Sequence, residues 1–351
     1  MPQQFASDNN AGICPPALQA LVRANAEPHA PGYGEDAWTA RACDRLRALF
    51  ETDCAVFFVF TGTAANALSL AHICRPYDAV IAHAQAHIDN NEAGATGFFS
   101  GGAKIMIADA PLAKLTPELV ERLAGKGRGF HSVRPRALSL TQATELGTVY
   151  TREELASLTA TARGRGLRVH MDGARFANAV AALDCAPADI SWRAGVDVLC
   201  FGGVKNGLAG GEAVVFFDRD LAREFDWRVK QAGHLNSKMR LVAAPWFALI
   251  DEGAWLANAR HANAMARRLG ERLSGINGLR LMVPVETNAV FVEMAPAVQA
   301  RLRAKGWRFY NFLSEAGCRL ICAWDTAPAT VDRFADDVAE AAAPAPRASA
   351  G

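Results

Sequence analysis

One stretch limits what this chain can become: Asp197-Val-Leu-Cys-Phe-Gly-Gly-Val-Lys205-Asn-Gly-Leu-Ala-Gly-Gly-Glu-Ala-Val-Val-Phe-Phe217. It opens and closes on short apolar runs that read as buried strands. Between them lie five glycines (Gly202, Gly203, Gly207, Gly210 and Gly211) and the single lysine Lys205. Glycines allow positive φ and let a bulky group approach the backbone closely. A lysine on such a turn, beside apolar strands, is partly desolvated; its pKa falls and the neutral amine becomes available as a nucleophile. A hairpin carrying a solvated lysine fits the turn alone equally well.

An upstream segment separates the two readings. Leu167-Arg-Val-His-Met-Asp172-Gly-Ala-Arg175-Phe is a strand running into a helix, with Asp172 at the junction. Open α/β sheets place ligands at the ends of their parallel strands. An aspartate there, followed by a glycine-flanked lysine, suits pyridoxal 5'-phosphate. That cofactor needs a Schiff-base lysine and a carboxylate facing its pyridine nitrogen. Taken singly, Asp172 could equally be a helix N-cap.

The remaining pattern alternates strand and helix. Helices are expected at 36–50, 64–74, 116–124, 153–165 and 174–182, and from 220, 238 and 254, after an irregular start. Strands are expected at 55–60, 79–82, 104–108, 136–141 and 168–171. This order gives an α/β fold with a mostly parallel sheet flanked by helices. Shorter strands follow at 279–283, 289–293, 307–310 and 319–323, interleaved with two helices, as in a small C-terminal α+β domain. The expected units are a large domain over 1–250 with the N-terminal segment, a small one over 251–340, and a disordered tail over 341–351. Thr61-Gly62-Thr63 joins a strand to a helix and offers free N–H groups to a phosphate, although a plain helix cap gives the same pattern.

Composition closes other routes. With 351 residues, 51% of them hydrophobic, the chain can bury a substantial core, and its net charge of +1 argues against a nucleic-acid partner. No apolar run approaches the roughly 20 residues that cross a bilayer, and the N-terminus lacks the character of a secretory signal, so a cytoplasmic location is expected. The eight cysteines lack zinc spacing and read as buried free thiols. His83 and His87 would share a face on a helix and could bind a metal there. The segment follows a strand end, where a loop is expected, and the HExxH pattern is absent. No metal is therefore expected; a histidine lying flat on a pyridine ring is the better use.

Several motifs together resemble the threonine aldolase family: Ser7-Asp-Asn, Tyr33-Gly-Glu-Asp, Thr61-Gly-Thr-Ala-Ala-Asn66, Ala86-His87 with Glu92-Ala-Gly, Thr141-Gln-Ala-Thr-Glu145, His170-Met-Asp-Gly-Ala-Arg175 and Phe201-Gly-Gly-Val-Lys-Asn-Gly207. The likeness continues to Phe309-Tyr310 and Arg319-Leu320, and is strongest to the bacterial low-specificity L-threonine aldolase and phenylserine aldolase branch. It implies a pyridoxal-phosphate enzyme of the aspartate-aminotransferase-like fold (fold type I) that cleaves L-3-hydroxy amino acids to glycine and an aldehyde. It also implies a role for each matching residue. Lys205 carries the cofactor, Asp172 pairs with the pyridinium and His87 stacks on the ring. Gly62 and Thr63 hold the phosphate. Ser7, Arg175 and Arg319 surround the substrate carboxylate and the cofactor oxygen. Lys238, with Arg240 as its rival, falls where relatives send a basic residue to a neighbouring subunit's phosphate. A homodimer or homotetramer, with each site completed across the dimer interface, is implied as well. One departure stands out: many relatives carry a histidine where this chain has Glu145; if that histidine assists catalysis, Glu145 or a water must serve in its place. A specialised phenylserine aldolase, or another lyase or racemase on the same scaffold, is the alternative activity.

Overall fold

A computed structural model describes residues 4–126 and 129–343. The large sheet is built from β1 (Ala55–Val59), β2 (Asp78–His83), β3 (Lys104–Ala108), β4 (Arg134–Thr141), β5 (Arg168–Gly173), β6 (Val198–Phe201) and β7 (Glu212–Phe216). Its strand order is β1-β7-β6-β5-β4-β2-β3. Pairing is parallel from β3 through β6, whereas β7 runs antiparallel to both β6 and β1. The mostly parallel α/β sheet expected from the alternation is thus present, with the lysine stretch forming the β6–β7 hairpin.

Strands buried on both faces need apolar residues at every position, and β6 and β7 are buried throughout. Their alternate side chains enter two different cores. Leu199, Phe201, Ala213 and Val215 pack with the helices Ala37–Phe50, Arg152–Gly164 and Phe176–Leu183. Val198, Cys200, Val214 and Phe216 pack on the other side with the helix Gly62–Ile73. Among the fully buried positions of β5, His170 and Asp172 break the apolar rule. They share the face turned to helix Gly62–Ile73, since Asp172 is in register with Cys200 and His170 with Val198.

A second sheet, in the order β10-β11-β9-β8, is antiparallel: β8 (Arg280–Leu281), β9 (Ala289–Glu293), β10 (Tyr310–Phe312) and β11 (Ser314–Ile321). One face, with Val290, Val292, Cys318 and Leu320, packs on Leu302, Phe334 and Val338. The opposite face carries Phe291 and Ile321 and meets Leu146 beyond the end of β4. Arg319 belongs to this second face, which points its side chain towards the large sheet.

Three local differences from the sequence reading have physical causes. The start is not irregular: Pro15–Ala26 is a helix with prolines in its first turn, where their missing N–H is tolerated. Its buried stripe, Ala17, Ala20 and Ala24, is too small to signal amphipathicity strongly. Phe5 lies in the core of the small sheet, and its carbonyl accepts from Ile321 N at 2.8 Å, so the N-terminal segment bonds to the small unit. The last helix, Pro328–Ala342, includes Ala341, which is buried, and residues 344–351 of the expected tail lie outside the described residues. Among the described residues no helix is long and apolar enough to cross a membrane.

Candidate active site

The C-terminal ends of β1, β2, β4, β5 and β6 converge on one cavity of about 300 Å³. Its wall includes Thr61, Gly62, Thr63, His87, Glu145, Asp172, Arg175, Lys205 and Glu212.

Asp172 ends β5 and is 5% exposed. Its Oδ2 accepts from Asn66 Nδ2 at 2.9 Å and its Oδ1 from the Ala174 N–H at 3.0 Å, which fixes the carboxylate plane. Asn66 comes from the helix lying across β5, and the same amide donates to Glu92 Oε1 at 2.8 Å. Glu92 Oε1 in turn meets His87 Nδ1 at 2.8 Å. Burial raises the Glu92 carboxyl, against the hydrogen bonds from His87 and Asn66. One chain of polar contacts therefore runs from Asp172 through Asn66 and Glu92 to the His87 ring.

Lys205 sits in the short turn Val204–Asn206. The turn requires its glycines: a Cβ on Gly202 would lie 2.4 Å from the Ala174 carbonyl oxygen, and Gly207 has φ of 106°. Glu212, at the start of β7, reaches back across the hairpin, and its Oε2 accepts from the Gly203 N–H at 2.5 Å and the Val204 N–H at 3.4 Å. Burial pushes the Glu212 carboxyl up to about 7. Burial also lowers the Lys205 pKa, and the nearby Arg175 charge lowers it further; Asp8, Asp172 and Glu212 act in the opposite sense.

At the far wall, Thr61 caps the helix Gly62–Ile73, its Oγ1 accepting from the Ala64 N–H at 3.2 Å. The N–H groups of Gly62 and Thr63, in the first turn, have no intrahelical acceptor and border the cavity. A Cβ placed on Gly62 would meet no protein atom within 4 Å, so the space before this helix end is open to a ligand.

Two guanidinium groups flank the opposite side. Arg175 makes a fork on Asp8, Nε to Oδ2 at 2.8 Å and Nη2 to Oδ1 at 2.9 Å, and Asn288 Nδ2 adds a third bond to Oδ2 at 3.0 Å. Arg319 lies 5.7 Å from the Tyr310 ring and 5.8 Å from that of Phe312, and among the described residues its buried Nε has no hydrogen-bond partner. Burial, then the Arg175 charge, lowers its pKa.

The cavity therefore brings together six of the expected residues: Lys205, Asp172, His87, Gly62, Thr63 and Arg175. Ser7, Lys238 and Arg319 do not line it. Ser7 Oγ instead accepts from the Asn9 N–H at 3.1 Å, and Asn9 reaches the wall. Lys238 is exposed. His83 ends β2 outside the cavity, with Nδ1 accepting from the Gln85 N–H at 3.0 Å and Nε2 2.9 Å from the Ala110 carbonyl. Among the described residues, no group of three or more His, Cys, Asp or Glu is arranged to hold a metal ion, and all eight thiols are unbridged.

A family model described as beta-eliminating lyase matches residues 4–297, which carry every wall residue of the cavity. The chain belongs to the beta-eliminating lyase family. Within it, this lyase is 54% identical to the low specificity L-threonine aldolase of Pseudomonas aeruginosa, over 96% of this chain and 97% of that one. It is 30% identical to the low specificity L-threonine aldolase of Escherichia coli, over 77% and 78% of the two chains. Among solved structures, the Leishmania major threonine aldolase superposes with a TM-score of 0.91 at 30% identity, covering 97% of this chain and all of that one. The resemblance drawn from the motifs and these relatives point to one branch of the lyases.

Asp8, Asn66, Glu92 and Glu212 are the site residues to which the sequence assigned no task. Glu212 left a signal: it is a lone carboxylate opening an otherwise apolar strand, where only a specific partner makes burial tolerable.

Proposed function

We propose that this lyase is a pyridoxal-phosphate-dependent aldolase that cleaves L-3-hydroxy-α-amino acids, such as L-threonine and L-allo-threonine, to glycine and an aldehyde. The observation that carries this reading is the shared cavity of Lys205, an amine whose pKa burial lowers, and the oriented Asp172 carboxylate. The curated relatives with this activity, alike over nearly the whole chain, support it.

The residues present fit the cofactor. The free N–H groups of Gly62 and Thr63, with open space before them, suit a phosphate at a helix N-terminus. Asp172 suits a protonated pyridine nitrogen, His87 the ring face, and Lys205 the aldehyde carbon. When bound, pyridoxal phosphate supplies a sink for the electron pair left on Cα as the Cα–Cβ bond breaks.

The chain's own residues choose the bond and position the substrate. Lys205 would hold the cofactor through its amine, whose lowered pKa favours the nucleophilic form. Asp172 would face the ring nitrogen and favour its protonated form. Glu92 holds His87 through Nδ1, which sets the ring's orientation. Arg319, whose Nε lacks a partner among the described residues, anchors the substrate carboxylate, while Arg175, its fork held by Asp8, supports the cofactor side. Ser7 stays a substrate-side residue through the turn it caps. The exposed Lys238 serves the phosphate of a second subunit, within a cytoplasmic homodimer or homotetramer.

An aldehyde-release assay on L- and D-threonine, L- and D-allo-threonine and phenylserine tests the reading. It predicts glycine and acetaldehyde in equal amounts from both L-threonine isomers and none from the D forms. No aldehyde from any of these amino acids would end it; preference for phenylserine alone would move it to the phenylserine aldolases.

A further inference from the structure

We propose that Glu145 is the group that removes the proton from the substrate's 3-hydroxyl, an inference that rests on the aldolase reading. Glu145 lies beyond the end of β4 on the same wall as Asp172, Lys205 and His87. Its Oε1 accepts two hydrogen bonds, from the His87 N–H at 3.0 Å and from Thr141 Oγ1 at 2.9 Å. Those two donors hold the carboxylate at a fixed place in the cavity, and both are neutral.

The other acids near the site are committed elsewhere. Asp172 is held by Asn66 and the Ala174 N–H, Glu212 by the backbone of the lysine turn, and Asp8 by the Arg175 fork. Glu92 is engaged by His87 and Asn66, and that bond also occupies Nδ1 of the one histidine on the wall. Of the three wall carboxylates, Glu212 is bonded to the turn that carries the lysine and Asp172 is assigned to the cofactor's ring nitrogen, which leaves Glu145 for the substrate hydroxyl. Burial, and then the charge of Asp172, raise its pKa to about 7. A general base works best when its proton affinity lies near the operating pH.

The step balances without any further reactant. The carboxylate takes the hydroxyl proton, and the O–H electron pair becomes the second bond of the aldehyde carbonyl. The Cα–Cβ pair stays with the glycine fragment, and one proton returned to Cα completes glycine.

Glu145→Gln in the holoenzyme is the test, because an amide oxygen can still accept both hydrogen bonds while it cannot take a proton. The variant should lose about 100-fold or more in kcat for L-threonine, the usual scale for a general base, with KM little changed. The acid limb of the kcat profile near pH 7 should disappear. Glycine, which has no hydroxyl, should bind the variant as it binds the parent, measured by the change it causes in the absorbance of the bound cofactor. A kcat within a few-fold of the parent with the acid limb intact would overturn the proposal. So would loss of cofactor absorbance or of glycine binding along with activity, since Glu145 would then be structural. Absence of aldehyde release by the parent enzyme is a different result, and it would strike the aldolase reading itself.

Discussion

Asp8, in the first turn of the described chain, and Arg175, just past the end of β5, face each other as carboxylate and fork, with both bonds under 3.0 Å. The pair ties the N-terminal segment to the strand that carries Asp172, and Asn288 brings the small sheet into the same cluster. Burial alone would raise the Asp8 carboxyl, but the Arg175 and Lys205 charges outweigh it and hold it below the usual carboxylate range.

Asp8→Ala leaves a guanidinium without its partner, a loss of about 3–5 kcal/mol for a buried pair. Denaturant unfolding should show a lower midpoint with an unchanged slope. The pair's contribution has a defined pH window. Because the folded pKa lies below the unfolded value of about 3.9, the contribution is present above that value and is lost as pH falls through the folded one. The variant should therefore lose part of the parent's destabilisation in acid; a variant as stable as the parent would show that the fork does not hold the segment.

Glu212→Gln keeps an oxygen for the Gly203 N–H and removes one of the three carboxylate charges, with Asp8 and Asp172, that raise the Lys205 pKa. The pH titration of the bound cofactor's absorbance should move to lower pH, with the cofactor still attached. The parent's folded-state pKa of about 7 lies above the unfolded value of about 4.3, so Glu212 contributes stability below the unfolded value. That contribution fades as pH rises through 7. The glutamine variant should accordingly lose less stability between pH 5 and 8 than the parent. An unmoved absorbance titration would mean that Glu212 holds the turn without influencing the lysine.

Much of this site is legible in the sequence because its residues sit where strand gives way to turn. Asp172, Lys205 and Gly62 each interrupt an apolar run, and the strand–helix alternation tells on which end of the sheet they gather. The β6–β7 hairpin is legible for the same reason. What the sequence does not carry is partnership across long separations. Nothing in Asn66 announces that one amide bridges Asp172 and Glu92, and nothing in Asp8 announces Arg175. Strand β11 is a similar case. The sequence places this strand at 319–323, whereas it begins at Ser314, with Ser314 paired to β10 and Gly317 to β9. The helix Pro15–Ala26 escapes notice because an alanine stripe packs well against a close neighbour while giving little periodic signal.

Arg319→Lys tests the carboxylate anchor. A lysine keeps the charge and loses the planar fork, so KM for L-threonine should rise roughly 10-fold and kcat should fall. Cofactor absorbance should stay normal, because the groups assigned to the cofactor are Lys205, Asp172, His87, Gly62 and Thr63 rather than Arg319. Unchanged kinetics in both Arg319→Lys and Arg319→Ala would return the anchor to Arg175.

Borohydride reduction of the holoenzyme, followed by peptide mapping, addresses the central claim directly. A lysine that holds an aldehyde cofactor as an imine becomes permanently tagged on reduction. The account predicts the pyridoxyl group on Lys205 alone, with aldolase activity lost in step with labelling and no label in Lys205→Ala. Label on another lysine, or an active enzyme with none on Lys205, would contradict it.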